Sequence, residues 1–100
     1  MSMWYVIIGR DAPDSITARR IHRPAHLERL EILRAAERLL AAGPMPAIDW
    51  ADPGPAGFVG SLVLAEFGSL EAARAWAEAD PYLAGGAWVS TEVYPFVRVL

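Results

Sequence analysis

The sequence predicts an α+β domain with its elements in the order β-α-β-β-α-β, the split pattern of the ferredoxin-like fold. Three observations carry that expectation. An uninterrupted apolar run opens the chain at Met3–Gly9, a long alternating run closes it at Ala87–Leu100, and two amphipathic segments between them are separated by further strand signals. The second strand, LLAAGPM at 39–45, is ambiguous on periodicity alone, because the helix before it can equally run on to the Gly43-Pro44 stop. At 100 residues the chain is read as one domain over 1–100, with room for a single site.

The elements follow in order. Met3–Gly9, MWYVIIG, is rich in aromatic and β-branched residues and closed by glycine, which suits a buried strand. In the turn cluster RDAPDS, Pro13 fixes φ and Asp14 or Ser15 can cap a short helical turn over Ile16–Arg20. That turn is expected to end before Pro24, which then begins a separate helix, where a proline's missing N–H does no harm. From there Leu27, Leu30, Ile32, Leu33 and Ala36 recur near a helical period, and Glu31 and Arg34 form an i, i+3 pair.

Met45–Gly57, MPAIDWADPGPAG, holds three prolines and two glycines and reads as a loop long enough to act as a lid. Phe58–Phe67 reads as a strand, with Gly60 at a bulge or a close backbone approach. Ser69 caps a helix, LEAARAWAEA, whose apolar face is Leu70, Ala73, Trp76 and Ala77 and which Asp80-Pro81 stops. Tyr82–Gly86 reads as a turn. Alternation in the last strand puts Trp88, Ser90, Glu92, Tyr94 and Phe96 on one side and Val89, Thr91 and Val93 on the other, and Pro95 calls for an edge or a bulge.

Composition narrows the chemistry. The net charge is −3 without any run of like charges, so the electrostatic footprint of a nucleic-acid binder is missing. All nine basic residues are Arg, which removes a Schiff-base lysine, and the lack of Cys removes thiol nucleophiles, disulfides and thiolate metal centres. The N-terminal apolar run is too short to span a bilayer and lacks a basic flank, so no membrane partner is expected and a cytoplasmic location is. Four Trp, three Tyr and three Phe are a large aromatic load for one small core, and a subunit interface can take part of it.

His26, one of two histidines, is the first candidate for chemistry, since imidazole titrates near neutrality. At the first turn of a helix starting at Pro24, the macrodipole would favour its neutral, base-competent form. Asp80 is the carboxylate to pair with it, because a negative charge at a helix C-terminus is not explained by helix stability. An Asp80 bond to one ring nitrogen would fix the tautomer and leave the other nitrogen as base, a His–Asp dyad suited to proton transfer. Against this stands the plain reading in which His26 is a satisfied structural residue and Asp80-Pro81 a helix stop.

Other constellations are weaker. His22 and His26 are four apart, but Pro24 between them argues against one helix through both, and no HExxH pattern or third ligand is evident, so no metal is expected. Ser61 with His26 and Asp80 has the composition of a hydrolase triad without the G-x-S-x-G elbow. The backbone at Ala42–Pro44 and Gly60–Ser61 is better explained as turn and bulge, yet it could line a small pocket.

Several blocks in order, RPAHLERL at 23–30, AGPMPAID at 42–49, GFVGS at 57–61, EFGSLEAARAWAEADPY at 66–82 and VYPFVRVL at the end, resemble the YciI-like, or YCII-related, family. The resemblance implies a ferredoxin-like fold whose sheets pair as a dimeric α+β barrel, as in muconolactone isomerases, with the second strand beginning near Leu39. It implies an active site around a His and an Asp, which carry over onto His26 of RPAH and Asp80 of ADPY. A related member of the wider family is a dehydrochlorinase acting on a chlorinated hydroxyhydroquinone, so elimination or isomerisation by proton transfer is the implied chemistry.

Two functions result. In the first the chain is a cofactor-independent enzyme: His26 is base or acid, Asp80 orients it, and Arg23 attracts an anionic group of a small cyclic or aromatic ligand. Tyr5, Pro44, Ser61 and Tyr82 help to line the pocket, and the 45–57 loop covers it. In the second it is a non-catalytic ligand-sensing or dimerisation module in which His26 and Asp80 only fix the packing of two helices. A homodimer is expected in both.

Overall fold

A computed structural model describes residues 2–100. In chain order its elements are β1 (Met3–Asp11), α1 (Ile16–Ala35), β2 (Leu39–Pro46), a 3-10 turn at Gly54–Ala56, β3 (Phe58–Phe67), α2 (Leu70–Glu78), α3 (Pro81–Ala84) and β4 (Trp88–Phe96). The strands form one four-stranded antiparallel sheet in the order β2-β3-β1-β4. This is the expected α+β arrangement, with the helices against one face.

Alternation along the two central strands sets that face. Ile7 sits opposite both Val63 and Val93, and Tyr5 opposite Ala65. Tyr5, Ile7, Val63, Ala65 and Phe67 are buried under Leu30 and Leu33 of α1 and Ala73 and Ala77 of α2. Ile7 is fully enclosed, a burial that stabilises by roughly 1.5–3 kcal/mol. The residues between them, Trp4, Val6, Ile8, Leu62 and Leu64, point to the other face and are only half-buried.

α1 corrects the expected break at Pro24: one helix runs through it from Ile16 to Ala35. Proline removes the hydrogen bond to the Arg20 carbonyl, a loss that favours a helix end. Yet Arg19, His26, Leu30 and Leu33 are buried on one stripe that lies on both sides of Pro24. A break there would give up the packing of one half, and the stripe prevails over the single bond.

The helix ends without a glycine. Glu37 takes the left-handed conformation, φ 58°, and its N–H donates to the Arg34 carbonyl at 3.0 Å while the Arg38 N–H reaches back to Leu33 at 2.9 Å. These bonds close a Schellman motif and turn the chain into β2 at Leu39, where the family resemblance puts it. Ser69 caps α2 as expected, accepting from the Ala72 N–H at 3.0 Å.

β4 is an edge strand, which accommodates Pro95, but its faces are not those of simple alternation. Its register against β1 shifts between Arg10 and Asp11, so Trp88 crosses to the helix side and is buried there while Ser90 is exposed. Trp88 lies flat over Gly9: a Cβ at that glycine would come within 2.2 Å of the indole. Gly60 is the close approach expected of it, since its Cβ would meet the Gly9 carbonyl oxygen at 2.3 Å. The segment read as a turn after Asp80 is the short helix α3.

Candidate functional site

The stripe of α1 that faces the sheet carries Arg19, Arg23 and His26 at spacings of four and three, which puts them on one side of the helix. His26 is therefore a mid-helix residue, and the helix-start argument for its neutral form does not apply to it. What acts on its ring is Asp80, fully enclosed, both of whose carboxylate oxygens stand 2.9 Å from His26 Nδ1.

Asp80 reaches this place as the N-cap of α3, where Oδ1 also accepts from the Tyr82 N–H at 2.9 Å. Its helical environment is thus favourable, the reverse of the mismatch expected from the end of α2. Arg29 approaches its other oxygen at 3.5 Å, lies 4.3 Å over the Trp76 ring and donates to the Trp76 carbonyl at 2.7 Å. Burial pulls the Arg29 guanidinium below its ordinary pKa, and the Asp80 charge opposes that.

An ionised carboxylate only accepts hydrogen bonds, so Nδ1 carries the proton in this pairing and a neutral ring has its free lone pair on Nε2. The ring is packed on two sides. It stacks on Tyr82 with centroids 4.0 Å apart and planes 8° from parallel, while Trp88 meets it edge-on at 5.6 Å. Among the described residues Nε2 has no hydrogen-bond partner and is not sealed off. His26 belongs to the wall of a cavity of about 190 Å³ between α1 and the sheet.

That cavity gathers most of the residues expected at a site. Arg23, His26, Pro44, Ser61 and Tyr82 all line it, with Leu27, Leu30, Ala42 and Gly43 supplying apolar surface. Pro44 and Ser61 are direct neighbours across β2 and β3. Tyr5 lies apart: its place on β1 puts it beneath α2, buried against Phe67 at 6.3 Å between rings. The 47–57 loop contributes nothing to the lining, because the chain leaves β2 beyond the cavity's edge.

Sequence reasoning passes over two residues of this site, Arg19 on the cavity wall and Asp11 behind it. Arg19 is buried and donates to Asp11 through Nε at 2.7 Å and Nη2 at 2.6 Å, and Asp11 also accepts from the Ser15 hydroxyl. With one Nη2 N–H on Asp11, the Gly60 carbonyl at 3.1 Å and the Ser61 hydroxyl at 2.9 Å share the other. The signal for Arg19 is the four-three-four-three spacing of residues 19, 23, 26, 30 and 33, visible once α1 is read as one helix. Burial raises the Tyr82 phenol above its ordinary pKa, while Arg19 and Arg23 pull it down.

The continuous α1 also places His22 one turn before His26. The His22 ring packs against Gly85, where a Cβ would lie 2.2 Å from it. Among the described residues there is no group of three or more His, Cys, Asp or Glu side chains able to hold a metal ion. No described helix is long and apolar enough to cross a membrane.

The chain is similar to known proteins over nearly its whole length. The model of the YCII-related domain matches residues 3–97. Protein YciI of Escherichia coli O6:H1 is 58% identical over 97 residues, which cover 97% of this chain and 99% of that protein. An uncharacterized protein of Haemophilus influenzae is 47% identical over the same shares. Among solved structures, the 5-chloro-2-hydroxyhydroquinone dehydrochlorinase of Burkholderia phenoliruptrix AC1100, in complex with 2,5-dihydroxybenzoquinone, superposes with a TM-score of 0.81 at 26% identity, covering 95% of this chain and 94% of that one.

Proposed function

The chain belongs to the YCII-related family, and on that footing we propose that it is an enzyme acting on a small cyclic or aromatic molecule by proton transfer. His26 Nε2 is the base, or after protonation the acid. Asp80 fixes the tautomer, and Arg23 draws an anionic group of the substrate to the cavity. The observation that carries this reading is that His26 lines a cavity, with Nε2 unbonded and Nδ1 held by a buried carboxylate. Arg23 supports it: the residue is exposed on the cavity wall and has no ion-pair partner among the described residues.

The structural neighbour is named for a dehydrochlorination, so elimination is the first reaction to test and isomerisation the second. Neither changes the substrate's overall oxidation level: in isomerisation the imidazole returns the proton at another carbon, and in elimination it passes the proton to water while the halide leaves. A packing role alone for the dyad accounts for Asp80 but not for an open cavity against the ring. Two copies associating through the uncovered sheet face would make the dimeric barrel, and the cytoplasm is the proposed location.

The test is to screen lactones, phenols and haloaromatics for turnover with the parent and with His26→Ala. Loss of a general base is expected to cost about 10²–10⁴-fold. Equal turnover by both proteins on a substrate so found would remove His26 from the chemistry.

A further inference from the structure

We propose that Ser61 is the hydrogen-bond donor to a developing oxyanion in this cavity, and that the buried Arg19–Asp11 pair is the positioning pair that aims it. The substrate class that follows is a cyclic compound with a carbonyl next to an acidic C–H. The inference rests on the proton-transfer reading of His26 and supplies the half of the site that receives negative charge.

A serine at this place is out of pattern. Ser61 shares its face of β3 with Val63, Ala65 and Phe67, all core residues, and is itself buried where it meets the cavity. Its oxygen accepts from Arg19 Nη2 at 2.9 Å, and among the described residues its own proton has no acceptor. A hydroxyl that accepts from a guanidinium turns its proton away from that cation, and the space left for it is the cavity. The same contact polarises the O–H and strengthens it as a donor.

Arg19 is engaged through two of its three nitrogens. Its Nε and Nη2 are committed to Asp11, Gly60 and Ser61, and the guanidinium lies 5.2 Å from the centre of the Tyr82 ring and 4.8 Å from that of Phe58. A buried ion pair is weak as a stabilising device, since desolvation offsets much of its attraction. Holding one hydroxyl at a fixed angle is a task that such a rigid, bidentate pair suits. A nucleophilic role for Ser61 is disfavoured, because no hydrogen bond joins it to His26 among the described residues and a hydroxyl bound to a cation is a poorer nucleophile.

The step balances with the groups present. His26 Nε2 takes the proton from the carbon beside the carbonyl, the C–H electron pair becomes a C=C bond, and the carbonyl π pair moves onto oxygen, which accepts the Ser61 O–H. The enolate then either regains a proton from the imidazolium at a different carbon, which is isomerisation, or expels a halide from the ring, which completes elimination. In both, negative charge develops on the oxygen facing Ser61 and not on the carbon facing His26.

Phenolates mimic enolates, so the probe is 4-nitrophenolate, with 4-nitroanisole as its neutral counterpart, each titrated by its absorbance change on binding. The parent should prefer the phenolate. Ser61→Ala should weaken phenolate binding by about tenfold to a hundredfold, the loss of a hydrogen bond to a charged group, and leave the anisole unchanged. Ser61→Thr, which keeps the hydroxyl, should restore the preference, and Arg19→Gln should shift the ratio in the same direction as Ser61→Ala.

The ratio is read from binding and not from turnover, which separates this inference from the assignment of the base. A phenolate-to-anisole ratio equal in parent and Ser61→Ala, or a parent without any preference, would overturn the proposal even if His26 proves essential for turnover. Should Arg19→Gln fail to fold, the two Ser61 variants decide the matter alone.

Discussion

Three different contacts fix the His26 ring: a carboxylate at Nδ1, a parallel stack on Tyr82 and the edge of Trp88. Their combination predicts how Asp80→Asn behaves. An amide can no longer impose one tautomer, so turnover of any substrate found should fall by about a hundredfold or more. Stability should fall by about 1–3 kcal/mol, because buried donors lose a charged acceptor. Proton NMR gives the direct readout: a downfield Nδ1–H signal in the parent that is absent from the variant. Its persistence would mean that the proton is not shared with Asp80. Tyr82 adds a prediction about pH. Its phenol has a raised pKa in the folded chain, so its contribution is fully present below the unfolded value of about 10 and is lost as pH climbs through the folded one. The melting temperature should drop on the alkaline side above about pH 10, and less steeply in Tyr82→Phe. Equal slopes would show that the phenol titrates as in the unfolded chain. Tyr94 donates to Glu92 and shifts the same way, so some slope remains.

At the scale of elements, the end of α1 is where stability is held at a cost. Glu37 occupies a left-handed position that a side chain disfavours, and it does so because the Schellman bonds to Leu33 and Arg34 require that conformation. Glu37→Gly should raise stability by about 0.5–1 kcal/mol in urea denaturation, and an unchanged or lower midpoint would contradict the assigned turn. The same residue explains why the helix end is hard to read in the sequence: the usual glycine is not there. Pro24 misleads in the opposite direction. A local preference for ending a helix is plain in the sequence, whereas the buried stripe that overrides it is a property of the sheet beneath. The shift in β4 is illegible for a similar reason, since Trp88 changes sides only because Gly9 leaves room for an indole. Pairing His26 with Asp80 is legible from residue types and from the family resemblance, but not from the helix dipole. Asp11 and Arg19 stay hidden until α1 is one helix.

The whole molecule is a half-covered sheet. Helices shield one face, whereas on the other Tyr94 is about half exposed and Trp4, Val6, Ile8, Leu62 and Leu64 keep partial access to water. An apolar area of this kind on a small domain suits the proposed association of two copies. The aromatic load noted in the sequence is divided between the two faces, Trp88, Tyr82 and Phe67 inside and Trp4 and Tyr94 outside. Light scattering at micromolar concentration should give twice the chain mass of 10.9 kDa, and Leu64→Arg should shift it towards that mass. A monomeric parent would remove the barrel proposal and leave the cavity on the opposite face as described.

The direction in which side chains leave β3 has a consequence for how this protein can change. Ser61 and Val63 look towards the cavity and core, and Leu62 and Leu64 towards the outer face, so the two proposed duties, ligand site and dimer face, are interleaved on one strand at every second position. Substitutions can therefore retune either duty without disturbing the other. An insertion or deletion of one residue within β3 cannot, for it would exchange the two sets and lose both at once.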